Sequence, residues 1–342
     1  IIMILLTSTV ISFALTPIAI KIAPRIGALD VPKDDRRMHT KTMPRFGGIA
    51  IYIGSMTALI SHVFNTIDER MIGIAIAATL ILIMGVIDDI RGLSAKIKLG
   101  GQIICATILF ASSVRISFIS NPWGEGILEF PWVISFLVTV VWIVGITNTI
   151  NLIDGLDGLA AGISFIATIV IAYIAFINRR YEICMAFIAL SGSCLGFIPW
   201  NFHPAKIFMG DGGALYLGFM IASISVMSPM KSATVIATIL PIFVLALPIL
   251  DTALAIIRRV RSGRPIMEAD KYHLHHQVLN VGMGHKRTVL TLYCISGIMG
   301  VAAILISRDL FIEAAFLIAI AATLIYVFMK DRGFGKPFNG KR

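Results

Sequence analysis

Charge is what this sequence has least of. Only 14% of its 342 residues are Asp, Glu, Lys or Arg, against roughly 25% in an ordinary soluble protein. That shortfall excludes a soluble globular enzyme and a disordered chain. Cysteine is scarce too. Cys105, Cys184, Cys194 and Cys294 lie inside apolar segments, and no two form a CxxC pair. A disulfide scaffold is therefore excluded, and packing is favoured over metal or redox roles for these thiols. No internal repeat, low-complexity tract or linker interrupts the chain, so a single integral domain over 1–342 is expected.

What the sequence has in abundance is apolar length. Hydrophobic residues make up 57% and mean hydropathy is +0.90. A membrane-crossing helix needs about 20 apolar residues, because the hydrocarbon core is roughly 30 Å thick and each residue rises about 1.5 Å. Eleven segments meet this pattern: Ile2–Ala23, Gly47–Phe64, Met71–Ile87, Ile97–Ser113, Pro131–Thr147, Leu159–Ile177, Ile183–Pro199, Gly213–Met227, Ala233–Ile257, Val289–Ile306 and Phe311–Met329. The first is too long for a cleaved signal peptide and lacks a small-residue cleavage site before a soluble domain. The fold class expected is all-α, a polytopic integral membrane protein of about eleven transmembrane helices.

The basic residues set an orientation. With the N-terminus outside, all but six of the 29 Lys and Arg fall on one side, in or within a helical turn of connections at about 24–46, 88–96, 148–158, 200–212 and 258–288 or in the tail 330–342. The exceptions are Arg70, Arg115, Arg179, Arg180, Lys231 and Arg308. Positive residues stay cytoplasmic, so the C-terminus is expected inside. The net charge of +10 then belongs to membrane orientation and not to nucleic-acid binding.

The acids and histidines cluster on that same side, and polar residues near a bilayer usually mark function. The first connection, from Asp30 to Gly48, is dense in Arg, Lys and His and ends in MPRFGG. It is either a positive-inside anchor or an anion-binding loop. The second holds Asp88 and Asp89 at a helix C-terminus. Acids there oppose the macrodipole, and adjacent carboxylates repel, so a cation, a metal or a raised pKa must hold one of them. The third, NTINLIDGLDGLA, repeats Asn148, Asn151, Asp154 and Asp157 at every third position. Three helical residues turn about 300°, so the set drifts around a straight helix. Gly155 and Gly158 would break the helix and let the last carboxylate swing back. This stretch contains no Lys or Arg, and its oxygen donors suit a hard cation and a polar ligand.

The fourth connection, from Trp200 to Phe219, places Asp211 between Gly210 and Gly212 just before an apolar span. Asp211 can cap that helix or offer its carboxylate to a ligand at the membrane surface. Phe208 can stack on a base or simply pack. The fifth carries Arg258, Arg259, Arg261 and Arg264 ahead of His273, His275 and His276. That composition favours a diphosphate over zinc, which would want better-spaced ligands.

Together these stretches resemble the polyprenyl-phosphate N-acetylhexosamine-1-phosphate transferases, of glycosyltransferase 4 type. The resemblance covers nearly the whole chain and rests on five ordered motifs: MPRFGG, Asp88–Asp89, NTINLIDGLDGLA, IFMGDGG and HLHH. It is nearer to the undecaprenyl-phosphate GlcNAc-1-phosphate transferases that start teichoic acid, common antigen or O-antigen synthesis than to the phospho-MurNAc-pentapeptide translocase. The family commonly carries hydroxyl residues where this chain has Gly212 and Ala214.

The resemblance implies transfer of HexNAc-1-phosphate from a UDP-sugar to undecaprenyl phosphate at the cytoplasmic membrane, with UMP released and the active site on the cytoplasmic face. It implies Mg²⁺, with Mn²⁺ as a substitute, on Asp211 and Asn151. Asp88 would orient or deprotonate the lipid phosphate, with Asp89 beside it. Asp154, Asn201 and Phe208 match positions that meet the nucleobase. Asn148 and Asp157 would serve the nucleotide or sugar, and His273, His275 and His276 the diphosphate, with Arg45 and Arg259. The family admits a homodimer. Two rival readings stay open: the MurNAc-pentapeptide translocase, and a secondary transporter of an anionic solute. A transporter would place its polar sites near the midplane with repeat symmetry.

Overall fold

The computed structural model describes residues 1–31, 42–62, 69–120, 126–227, 244–263 and 284–330. Among these are eleven helices: α1 (Ile2–Ile26), α2 (Gly48–His62), α3 (Glu69–Arg91), α4 (Ala95–Ala111), α5 (Trp132–Ile153), α6 (Leu159–Ile177), α7 (Tyr181–Asn201), α8 (Gly210–Val226), α9 (Ala246–Arg261), α10 (His285–Ile306) and α11 (Phe311–Lys330). By length and apolarity α1, α3, α5, α6, α7 and α10 could each cross a membrane, and α2, α8 and Phe311–Val327 are shorter apolar helices. Helix is what such a sequence must adopt, since every backbone polar group in lipid has to be satisfied within the chain.

Each expected apolar segment overlaps one described helix, with two differences. α5 continues past Thr147 to Ile153, so Asn148 and Asn151 are helical rather than part of a loop. The segment expected from Ala233 is described only as α9, because residues 228–243 lie outside the described residues. The structure also holds two small antiparallel ribbons that the helical reading did not anticipate. Strand β1 (Leu29–Asp30) pairs with β2 (Met43–Pro44), and β3 (Phe118–Ser120) with β4 (Ile127–Glu129). Both satisfy backbone groups where the chain leaves a helix.

The bundle is built around α8. From Gly212 to Ile224 every residue of this helix is buried, which for a helix of ordinary amphipathic character would be unusual. Helices α2, α3, α5 and α7 all pack on it. Polar side chains stitch the layers together. Ser55 and Tyr216 share a 2.7 Å hydrogen bond between α2 and α8, and Tyr52 meets Thr79 at 2.9 Å between α2 and α3. Trp142 Nε1 donates to Ala222 O at 3.3 Å. On the flank, Thr9 and Ser12 of α1 donate to the carbonyls of Gly192 and Ser193 on α7, at 3.0 and 2.8 Å. Three of the four cysteines are buried, Cys294 faces outward, and none is in a disulfide, as their apolar setting implied.

Helix backbones approach one another closely at the entry of α8. A Cβ on Gly48 would strike the backbone of Gly213, and one on Gly85 would strike that of Gly212. Three helix backbones therefore touch at one level, which only glycine permits. Gly48→Ala is expected to destabilise the protein by about 1–3 kcal/mol through overpacking. Gly100→Ala, whose Cβ meets nothing within 4 Å, should leave the thermal midpoint in detergent unchanged or raise it. Equal midpoints for the two variants would contradict this packing.

Candidate active site

The close approach of α2, α3 and α8 brings their charged ends together. Asp88 and Asp89 close the last turn of α3, Lys98 lies in the first turn of α4, Asp211 opens α8, and Arg45 precedes α2. Asp89 caps α8 from another helix: its Oδ1 accepts from Asp211 N at 2.9 Å and its Oδ2 from Gly212 N at 3.0 Å. A helix N-terminus has unpaired N–H groups and partial positive charge, so a carboxylate is the natural partner. The sequence allowed Asp211 to cap its own helix. Asp89 takes that position instead, because Gly210, at φ +73°, turns the chain so that the amides face α3. This frees the Asp211 side chain.

Asp211 uses that freedom to bind two cations. Its Oδ2 lies 2.8 Å from Lys98 Nζ, and its Oδ1 3.2 Å from Arg45 Nη2. The same ammonium reaches Asp88 Oδ2 at 2.8 Å, and the same guanidinium lies 3.4 Å from Asp89 Oδ1. Asp88 Oδ1 also accepts from Leu93 N at 2.5 Å. The repulsion expected between Asp88 and Asp89 is thus relieved by splitting them between Lys98 on one side and Arg45 with the α8 N-terminus on the other.

Exposure orders the layers of this cluster. The Arg45 and Lys98 side chains are 32% and 26% exposed, while those of Asp89, Asp88 and Asp211 are 1%, 9% and 17% exposed. The cations form the mouth and the carboxylates the floor. An arriving anion meets positive charge first.

A second group lies on the turn between α5 and α6. Asp157, nearly fully buried, accepts from Ala205 N at 3.2 Å and lies 2.8 Å from His203 Nδ1. The rings of His203 and His285 stack at 4.2 Å. Asp157, His203 and His285 each offer a ligand atom within 4.8 Å of the others, a set that could hold a metal ion. Asn201 is buried beneath this turn, accepting from Gly158 N at 3.1 Å and donating to Ile207 O at 2.9 Å. Tyr293 OH donates to Gly158 O. Gly158 itself sits at φ +81° and starts α6, the break that the glycines of this motif imply.

Asp154 links the two groups. Part of its surface is open, yet neighbouring chain encloses its carboxyl. Burial is the main cause that pushes its pKa up to about 7, with Asp211, Asp89 and Asp157 adding to the rise and Arg45 opposing it.

The remaining expected residues fall as follows. Asn148 is paired with Gln102, donating at 2.6 Å and accepting at 3.2 Å, which clamps α5 to α4. Asn151 is half-buried in the last turn of α5. Phe208 is half-buried and fixed by its backbone: its N donates to Pro44 O at 2.8 Å and its O accepts from Gly47 N at 3.0 Å. Arg259 is buried near the end of α9. His273, His275 and His276 lie outside the described residues. Lys98, Gln102, His203 and His285 carry contacts that the motif reading did not assign. The ten-residue step from Asp88 to Lys98, a helix end and the start of the next, is the signal that could have found the lysine.

An apolar helical bundle whose carboxylates and cations converge at one end has the build of a multi-pass membrane protein with a polar site at one surface. The chain belongs to glycosyl transferase family 4, whose profile matches residues 71–229, a stretch holding Asp88, Asp89, Lys98, Asp154, Asp157, His203 and Asp211. Relatives align along most of its length. It is 39% identical over 328 residues to the probable undecaprenyl-phosphate N-acetylglucosaminyl 1-phosphate transferase of Bacillus subtilis, covering 95% of this chain and 91% of that one. It is 36% identical over 328 residues to the decaprenyl-phosphate N-acetylglucosaminephosphotransferase of Mycolicibacterium smegmatis, covering 87% and 80%. The phospho-N-acetylmuramoyl-pentapeptide-transferase of Bacillus subtilis is more distant, at 29% over 318 residues, covering 88% and 96%. The chain is a multi-pass membrane enzyme.

The raised pKa of Asp154 has a signed consequence. The folded state holds this proton more tightly than the unfolded chain, whose carboxyl titrates near its ordinary value of 3.8. Stability from this group is complete below that value and is lost as pH rises to about 7. Asp154→Asn removes the penalty, so its thermal midpoint in detergent should exceed that of the parent more at pH 8 than at pH 5. A gap that is constant or shrinks with pH would contradict the burial of this carboxyl.

Proposed function

We propose that the protein transfers N-acetylhexosamine-1-phosphate, specifically GlcNAc-1-phosphate, from a UDP-sugar to undecaprenyl phosphate. The products are undecaprenyl-diphosphate-sugar and UMP, in the first membrane step of a cell-envelope polysaccharide. The observation that carries this reading is the layered charge cluster of Arg45, Lys98, Asp88, Asp89 and Asp211 at one end of a membrane bundle. Its relatives' activities and the lower identity to the muramoyl-pentapeptide enzyme favour GlcNAc. We further propose eleven spans with the N-terminus outside, which sets this cluster at the cytoplasmic face of the cytoplasmic membrane. There a lipid phosphate and a cytosolic nucleotide can meet.

Phosphoryl transfer depends mainly on positioning and charge neutralisation. Arg45 and Lys98, the more exposed members, would bind phosphate oxygens, and Asp88 and Asp211 would fix the ammonium between them. Asp88 could also orient the lipid phosphate or take its proton. Asp157 would hold His203 toward the nucleotide through the contact at 2.8 Å.

The donor set fits a hard cation. Asp88 and Asp211 each place a carboxylate oxygen 2.8 Å from one ammonium, so the fold already accommodates positive charge between them. Three carboxylates face two cations in this cluster, which leaves net negative charge to balance. Asp211 would be the first ligand for Mg²⁺ and Asn151 the second. When bound, the ion would polarise the diphosphate and stabilise the departing UMP. All five groups of the cluster come from one chain, so a homodimer is not required to complete it.

The deciding assay offers purified protein UDP-GlcNAc or UDP-MurNAc-pentapeptide, with undecaprenyl phosphate and Mg²⁺. UMP release with UDP-GlcNAc is expected. Release only with the pentapeptide donor would assign the translocase reaction, and no release with either would favour transport. Asp211→Asn is expected to lower kcat about 10²–10³-fold and to abolish the Mg²⁺ titration while elution in detergent stays monodisperse. Lys98→Gln should lower turnover comparably and leave the Mg²⁺ midpoint in place. A fully active Asp211→Asn variant would remove the metal assignment.

A further inference from the structure

The opposite end of the bundle holds a cavity that the transfer reaction does not use. Helix α3 places Arg70 and Asp88 eighteen residues apart, about 27 Å at a rise of about 1.5 Å per residue. That distance approaches the roughly 30 Å thickness of the hydrocarbon core. The cavity at the Arg70 end has a volume of about 470 Å³ and lies among the last turn of α2, the first turns of α3 and α7, and the final turns of α8.

Its wall is divided by chemistry. The floor is apolar and buried, formed by Leu59, Ile74, Ile183, Ala186, Met220 and Ile224. Among the described residues the rim is exposed and carries Arg70, Arg179 and Arg180 with one acid, Glu182. These are three of the six basic residues that break the charge asymmetry of the connections. Basic residues at helix ends can act simply as anchors at the bilayer surface. An anchor does not require an apolar cavity directly beneath it, nor three guanidiniums around one mouth. Like charges so placed favour an anion between them, and guanidinium matches phosphate in a bidentate manner. Tyr181, also at the rim and 52% exposed, is a residue type that settles at the headgroup level. A soluble anion would meet the positive rim but leave the floor unfilled, whereas an amphiphile with an anionic head matches both.

We propose that this cavity binds an anionic phospholipid of the leaflet opposite the carboxylate cluster, phosphate on the arginine rim and acyl chain on the apolar floor. The volume lies in the range of ligand pockets, roughly 300–1,000 Å³, and suits the upper part of one acyl chain. The binding is structural and independent of the transfer reaction, so it can be tested without an activity assay.

The test is native mass spectrometry of the purified full chain in mild detergent, given equal amounts of phosphatidylglycerol and phosphatidylcholine. Phosphatidylglycerol should be retained at least about tenfold over phosphatidylcholine, since its net negative charge is matched by the basic rim. The preference should fall to near unity in an Arg70→Gln, Arg179→Gln, Arg180→Gln variant with an unchanged elution profile. Met227→Trp, which fills the cavity and keeps the guanidiniums, should lose retention of both lipids and decides the matter if the triple variant does not fold. Equal retention of the two lipids by the parent protein would overturn the proposal, as would a preference that survives the triple substitution. Displacement of phosphatidylglycerol by millimolar inorganic phosphate would reassign the rim to a soluble anion and overturn the lipid assignment.

Discussion

The structure depends on how one buried helix begins. Helix α8 is enclosed on all sides and starts at the level where the bundle meets its charged end. Its first amides cannot reach bulk water and must be satisfied within the protein. Asp89 does this from α3, and Gly48 and Gly85 let the neighbouring backbones come close enough for it. The arrangement of the charged cluster follows from the cap. With the amides already bonded to Asp89, the carboxylate of Asp211 turns outward to Lys98 and Arg45, and Asp88 shares that lysine.

This arrangement also accounts for acids at a helix C-terminus. Placed there, Asp88 and Asp89 act against the dipole of their own helix. Asp89 lies instead at the favourable end of another. The unfavourable local position is offset by a tertiary one, together with two cations that lie nearer the solvent. Burial of three carboxylates in a membrane protein would otherwise be costly.

Much of this was legible in the sequence, and the parts that were not have a common cause. Apolar runs located the helices, and acids near glycine at their ends marked Asp88, Asp89, Asp154, Asp157 and Asp211. These signals are local. The cap on α8 joins residues 122 positions apart, and no local pattern assigns an amide to a carboxylate at that distance. Lys98 was hidden for a different reason: among the basic residues that orient the chain, only its ten-residue step from Asp88 sets this lysine apart, and that step gains meaning once Asp88 and Asp211 are seen on either side of it. His203 and Gln102 are similar. Each looks like an isolated polar residue until Asp157 or Asn148 is placed against it. The length of α5 was underestimated because Asn and Asp disfavour helix interiors, whereas packing against α4 through Gln102 carries the helix on to Ile153.

The central place of α8 also sets an order of assembly. Its neighbours α2, α3, α5 and α7 all precede it in the chain, so each is synthesised before the helix it packs against exists. Until residue 226 has emerged, Ser55 lacks Tyr216, Trp142 lacks the carbonyl of Ala222, and Asp89 lacks the amides it caps. The earlier helices must therefore remain loosely associated in the bilayer, with a slot open among them. The staple between residues 44–48 and 208–209 can close only once the start of α8 has emerged, joining the first connection to the entry of that helix. The biosynthetic intermediate is an incomplete bundle with polar side chains facing lipid, the stage at which a membrane chaperone or insertase would have most to shield.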